Sequence, residues 1–153
     1  MSKTASYYIE FYGSYFLALL AGIISYKLIL PDAILTKIEV FDKTIDFAGI
    51  TFGFLLTVIT LLIQTPLKVV QSIKVNKQFE RLVNANKRAV ISALFLVAFS
   101  LTILIIRKNE TMFLDCSDLY KRLLNGLYIF LVILTLLQSY FFVKIFYLII
   151  LTE

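Results

Sequence analysis

The sequence predicts an all-α integral membrane protein, a four-helix bundle that occupies residues 1–153 as a single membrane domain. Two observations predict this class. Hydrophobic residues make up 60% of the 153 residues and charged residues only 16%, against roughly half and a quarter in soluble domains. Breaking the chain at its charged residues also leaves long neutral runs, each close to the ~20 residues that a helix needs to cross the hydrocarbon core of a bilayer.

Four of these runs predict membrane-spanning helices. They cover residues 11–31 (interrupted by Lys27), 47–67, 89–106 and 123–143. The first run lacks the cationic start and the small-residue cleavage site of a signal peptide, so we interpret it as a retained helix. The connections are too short for a soluble domain with its own core. Function must therefore come from the bundle, its loops or an assembly of several copies.

The second helix carries small and polar residues at helical spacing: Gly49, Gly53, Thr57, Thr60 and Gln64. This spacing places all five on one face. One interpretation is packing against a neighbouring helix, for which small residues four apart are typical. The other is that Thr57, Thr60 and Gln64 line a pore. Four helices cannot enclose an aqueous channel and also pack well, so a pore requires a symmetric homo-oligomer.

Small residues also predict contact faces on the other three helices. The first helix has Glu10, Ser14, Ala18, Ala21 or Gly22, and Ser25 on one side. The third has Ala89, Ala93 and Ser100, with Ser92 adjacent, and the fourth has Thr135, Gln138 and Ser139.

The segment from Pro66 to Arg88 is strongly basic and predicts a cytosolic helical hairpin over residues 68–88, with a turn near Asn84 to Asn86. An excess of Lys and Arg marks cytosolic connections, so both termini are predicted to be cytosolic. The candidate contact residues are Lys74, Lys77, Arg81, Lys87 and Arg88. They either fix topology and touch anionic lipid or bind a cytosolic effector protein. The stretch has no recognisable nucleic-acid module, so nucleic acid is not an expected partner.

The residues that are missing exclude several kinds of function. The chain has no histidine and one cysteine, so we expect no enzyme activity, catalytic residue, metal site or cofactor. The second, third and fourth helices have no ionisable residue near their centres, which argues against an ion-coupled transporter and leaves a passive pore open. Cys116 is either a free thiol or, in an oxidising compartment, a link between subunits.

Residues 47–63 resemble the second helix of the RexB family, the membrane proteins of the lambda phage exclusion system. The likeness rests on an aromatic residue before Ala48 and Gly49, then Gly53, Leu55, Thr60 and Leu62–Ile63. The overall layout is also similar to KwaA, the membrane component of the Kiwa defence system. This resemblance implies a subunit of a bacterial antiviral system that forms or gates an ion pore. The alternative is a non-conducting scaffold or sensor that recruits a cytosolic effector through the basic hairpin; a holin-like lysis protein is a third interpretation.

Overall fold

A computed structural model shows that the described chain is entirely helical. It describes residues 5–28, 38–64, 77–108 and 117–151, with the side chains of residues 12–28, 39–61, 63–64, 80–106 and 117–148. The helices are α1 (Ala5–Leu28), α2 (Ile38–Gln64), α3 (Lys77–Lys108) and α4 (Asp118–Leu151). The all-α class is therefore confirmed.

Three of these helices are long and apolar enough to cross a membrane: Glu39–Leu61 in α2, Glu80–Ile106 in α3 and Asp118–Leu148 in α4. The apolar part of α1, Tyr12–Leu28, is shorter, and its crossing as a fourth span stays a prediction. The helices extend beyond the neutral runs in the sequence; α2 starts at Ile38 rather than at residue 47. Exposed charged side chains do not end a helix, so a neutral run marks its apolar length only.

Helices α2, α3 and α4 form the core around two apolar clusters. One cluster joins Leu55 of α2 to Leu82, Ala85 and Ala89 of α3 and to Phe142 and Ile145 of α4. The other joins Phe41 and Ala48 to Leu96 and Ile103, and to Leu124 and Tyr128. Low residue numbers on α3 meet high numbers on α2 and α4. Each of these helices is therefore antiparallel to α3.

Side-chain hydrogen bonds fasten α2 to both partners. The Asn86 side-chain amide of α3 donates to the backbone oxygen of Leu55, 2.8 Å away, and is buried. At the other end of α2, the Thr44 and Tyr128 hydroxyl oxygens lie 2.6 Å apart. Thr44 already donates its one proton to the Val40 carbonyl oxygen, so the hydroxyl of Tyr128 donates to Thr44. Such bonds between membrane helices contribute about 0.6 kcal/mol each on average.

Helix α1 packs mainly against α4 and contributes no residue to either core cluster. Its buried face consists of Ser14, Ala18, Gly22 and Ser25, which confirms the predicted small-residue face; the side chain of Glu10 lies outside the described residues. The arrangement is thus a three-helix core with α1 on the outer side of α4. The four predicted helices are therefore present, with three of them around the apolar clusters.

The predicted contact faces of α3 and α4 are also buried. Ala89, Ala93 and Ser100 of α3 are fully buried and Ser92 is nearly so. On α4, Thr135 and Gln138 are buried and Ser139 is half-buried. Small side chains at these positions bring α3 close to both neighbours.

The predicted turn near Asn84 to Asn86 is wrong, because α3 runs from Lys77 to Lys108 without a break. Asparagine favours turns when its side chain competes for local backbone groups. Here the side-chain amide of Asn86 donates a hydrogen bond to the backbone oxygen of Leu55 in α2, and Ala85 is buried in the core. Tertiary contacts thus keep this segment helical. Residues 68–76 of the predicted hairpin lie outside the described residues, while α3 from Leu82 onward belongs to the helical core.

Candidate functional site

The most distinctive surface of the molecule is the side of α2 that faces away from α3 and α4. The core-facing side of this helix is a seam of Phe41, Ala48 and Leu55, all buried to 1% exposure or less. These residues are seven apart, the spacing of helices that pack with a left-handed twist. Because one side of α2 is committed to the core, the opposite side is free to contact something outside the chain.

The predicted stripe lies on that opposite side. At roughly 100° per residue, its members fall about 100–180° around the helix from Ala48. All are exposed: Gly49, Gly53, Thr57, Thr60 and Gln64. The structure therefore brings the predicted residues together on one open surface, which we call the outward face of α2.

The two glycines of the outward face leave room for a close neighbour. A Cβ atom added at Gly49 or Gly53 would have no atom within 4 Å among its described surroundings. No helix among the described residues packs there, so these glycines are open to contact by a helix of a second molecule. Closely spaced glycines on a membrane helix allow such an approach.

Thr57 shows how a polar residue is accommodated on this surface. Its hydroxyl donates to the Gly53 carbonyl oxygen one turn earlier, at 2.8 Å. This bond uses the only proton of the hydroxyl and leaves its oxygen as an outward-facing acceptor. The face is therefore polar without carrying an unsatisfied donor at this position.

Acidic residues extend the outward face at its start, which the sequence analysis missed. Glu39, Asp42 and Asp46 precede Gly49 at spacings of three and four and are exposed on α2. They lie on the same side as the stripe. The signal was present in the sequence, since the same spacing continues backwards from Gly49. It was missed because the helix was expected to start after the last charged residue.

The predicted basic contact residues are only partly brought together. Lys87 is exposed and Arg81 is half-buried, while the Arg88 Nε donates to the Asn84 carbonyl oxygen at 3.2 Å. Lys74 lies outside the described residues, and Lys77 starts α3 with its side chain not described. Lys144 of α4 is exposed beside Phe142 and Ile145, which pack against the start of α3. We call Arg81, Lys87, Arg88 and Lys144 the basic end.

No protein-family model matches the chain, and no curated protein or solved structure matches it significantly. The function must therefore be argued from the surfaces themselves. Two of them carry chemical character: the outward face of α2, which is acidic at its start and small and polar along its length, and the basic end. In the described residues, no group of three or more Cys, Asp or Glu side chains is placed to hold a metal ion.

Proposed function

We propose that the protein is a membrane subunit that assembles as a symmetric homo-oligomer, with the outward face of α2 from each copy lining a path for ions. One observation carries this proposal: all predicted stripe residues are exposed, on the side of α2 opposite its buried seam. A polar helix side that faces away from its own chain is stabilised in a membrane by another polar helix or by water.

Within the described residues, the core of a single copy leaves no room for such a path. The space between α2, α3 and α4 is filled by large buried side chains, among them Phe41, Tyr128 and Phe142. The exposed polar residues of the stripe lie outside this core. A ring of copies turns their outward faces towards a common axis and creates the path without changing the fold of each copy.

The acids at the start of α2 suggest which ions pass. In a ring of copies, Glu39, Asp42 and Asp46 form acidic rings at one mouth of the path, and rings of carboxylates favour cations. We therefore propose a pore that prefers cations to anions and whose wall is formed by uncharged threonine and glutamine residues.

The proposed biological setting follows from the resemblance of residues 47–63 to RexB-like proteins. In that setting the protein lies in a bacterial inner membrane with both termini in the cytosol. Infection by a phage triggers opening, and the ion flux depolarises the cell. The basic end then lies on the cytosolic side, in keeping with the distribution of Lys and Arg.

A second candidate function is a non-conducting scaffold that recruits a cytosolic effector. The observation that favours it is the exposure of Asn84, Lys87 and Lys144 at the same end of the molecule. Reversing Lys87, Arg88 and Lys144 to Glu is expected to abolish co-purification with that effector while leaving the assembly intact. Unchanged co-purification would exclude this role.

Ion flux through purified protein tests the leading proposal. Liposomes that contain the protein are expected to dissipate an imposed potassium gradient faster than empty liposomes. The double variant Asp42→Asn with Asp46→Asn is expected to reduce the preference for cations over anions. Asp118→Asn neutralises an exposed acid on α4 and serves as the control. It is expected to leave the preference for cations over anions unchanged. An intact oligomer that conducts no ions would contradict the pore.

A further inference from the structure

An apolar groove runs along the outside of the molecule between α1 and α4. It offers about 370 Å³ of space beside the point where the two helices cross, and its walls include Leu19, Ile23 and Tyr26 of α1 and Gly126 and Phe130 of α4. This volume lies within the roughly 300–1,000 Å³ typical of ligand clefts. Apart from the hydroxyl of Tyr26, these lining side chains have no polar atom.

On each helix, a cation lies one turn beyond the residues that line the groove. On α1, Leu19 and Ile23 are followed four residues later by Lys27. On α4, Phe130 and Gly126 are preceded four residues earlier by Arg122. Residues four apart share a helix face, so each cation extends its wall by one turn.

The two cations lie at the same end of the groove because α1 and α4 are antiparallel. A Cβ added at Gly22 would meet Gly126 and Phe130, whereas one added at Gly126 would meet Gly22 and Tyr26. Residues later in α1 therefore lie beside residues earlier in α4. Lys27 accordingly lies at the level of the α4 turn that contains Arg122.

Neither cation is committed elsewhere in the described part of the chain. Lys27 is exposed and Arg122 is half-buried, and neither side chain has an ion pair or a hydrogen bond to a described residue. Asp118, one turn before Arg122, is the acid on the same helix and is exposed. The groove therefore combines an apolar channel with a positive charge at one end.

We propose that this groove binds an anionic phospholipid, with an acyl chain along the apolar walls and the phosphate between Lys27 and Arg122. The groove is open on its outer side and one wall belongs to α4, which is long and apolar enough to cross a membrane, so with α1 beside α4 in the bilayer, lipid is the molecule that meets it. The paired cations select a lipid of net negative charge over a zwitterionic one. The site is separate from the basic end, and it does not depend on whether the protein conducts ions.

A tryptophan placed in the groove reports on its occupant. The chain contains no tryptophan, so Leu127→Trp, at a lining position that is 41% exposed, introduces a unique fluorophore. Its fluorescence quenching is measured in two sets of vesicles. One contains brominated phosphatidylglycerol and the other contains brominated phosphatidylcholine with the same acyl chains, each mixed with unlabelled lipid. We expect quenching to show about tenfold preferred association of the anionic lipid at low salt.

Charge-neutral variants locate the headgroup. Lys27→Gln with Arg122→Gln is expected to bring the ratio of the two association constants close to one, and each single substitution is expected to give an intermediate ratio. The matched control, Lys87→Gln with Lys144→Gln at the basic end, is expected to keep the full preference. A second reporter, Phe95→Trp on the exposed surface of α3, is expected to be insensitive to Lys27→Gln.

Three results would overturn the proposal. Equal quenching by the two lipids would mean that the groove does not select charge. A preference that survives the loss of both Lys27 and Arg122 would place the headgroup elsewhere. Absence of quenching by either lipid, in protein that retains its helical circular dichroism, would mean that protein rather than lipid fills the groove.

Discussion

Gly22→Leu is expected to detach α1 from α4 and to lower the free energy of unfolding by about 3 kcal/mol, at the upper end of the usual cost of overpacking. A Cβ at this position would lie 2.9 Å from the backbone oxygen of Gly126 and 3.1 Å from the Cβ of Phe130. Neither atom is at the end of a flexible side chain, so the helices themselves would have to separate. The measurement is unfolding in mixed micelles with increasing sodium dodecyl sulfate, followed by circular dichroism.

The same substitution on α2 is the control for this experiment. Gly53→Leu places its side chain where no described atom lies within 4 Å of the new Cβ, and leucine favours a helix more than glycine does by roughly 0.8 kcal/mol. We expect the free energy of unfolding of the isolated subunit to stay the same or to rise. Equal losses for the two variants would show that the α1–α4 crossing is not the tight contact described above.

Gly53→Leu is expected to have its large effect on assembly. In the proposed ring, α2 helices of adjacent copies approach each other beside the path at Gly49 and Gly53, and a leucine side chain fills the space that the adjacent copy needs. Overpacking of a contact costs about 1–3 kcal/mol, which weakens association by about 5- to 150-fold. The mass of the purified particle, measured by light scattering over a range of protein concentrations, should fall from that of an oligomer to that of one chain.

A variant outside the stripe separates this effect from a general disturbance of α2. Ile63→Leu conserves side-chain volume at a position that is 56% exposed and lies nearer the core-facing side than the stripe does. Its particle is expected to keep the mass of the unsubstituted protein. Full assembly of Gly53→Leu, or equal dissociation of both variants, would contradict a role for the glycines in contact between copies.

The sequence was sufficient to predict which faces of α1, α3 and α4 are buried. Small residues recur at helical spacing on each of these helices, for example Ser14, Ala18 and Ser25 on α1, and in a membrane such residues mark close helix contacts. The rule failed to distinguish contacts within the chain from contacts with another molecule. Gly49 and Gly53 follow the same pattern, yet they face away from the other described helices of their chain.

The crossing of Gly22 and Gly126 could not be predicted in the same way. Gly126 has no small partner four residues away, since its neighbours at that spacing are Arg122 and Phe130. Only the docking of α1 shows that this glycine meets another backbone. The contact belongs to a pair of helices that are remote in sequence, so neither helix alone contains the signal.

Helix boundaries were the other part that the sequence left open. Ending each helix at a charged residue leaves Glu39, Asp42 and Asp46 out of α2 and shortens the outward face. Asn84 and Asn86 favour a turn by residue type, yet a hydrogen bond from Asn86 to α2 keeps α3 continuous. The acidic side chains of α2 are exposed and Asn86 bonds to another helix, so neither interrupts its own helix. Which side chains are exposed and which meet a neighbouring helix depends on tertiary structure.

The reactivity of single cysteines along α2 tests the central claim most directly. Cys116→Ser removes the only native thiol, and Thr57→Cys and Thr60→Cys then sample the outward face, whereas Phe54→Cys and Ile63→Cys sample exposed positions outside the stripe. A membrane-impermeant thiol reagent reacts with the thiolate, which forms in water and not in hydrocarbon. The account predicts that the two threonine positions react in assembled protein at least about tenfold faster than the other two. Equally slow reaction at all four positions would contradict a water-filled path along α2.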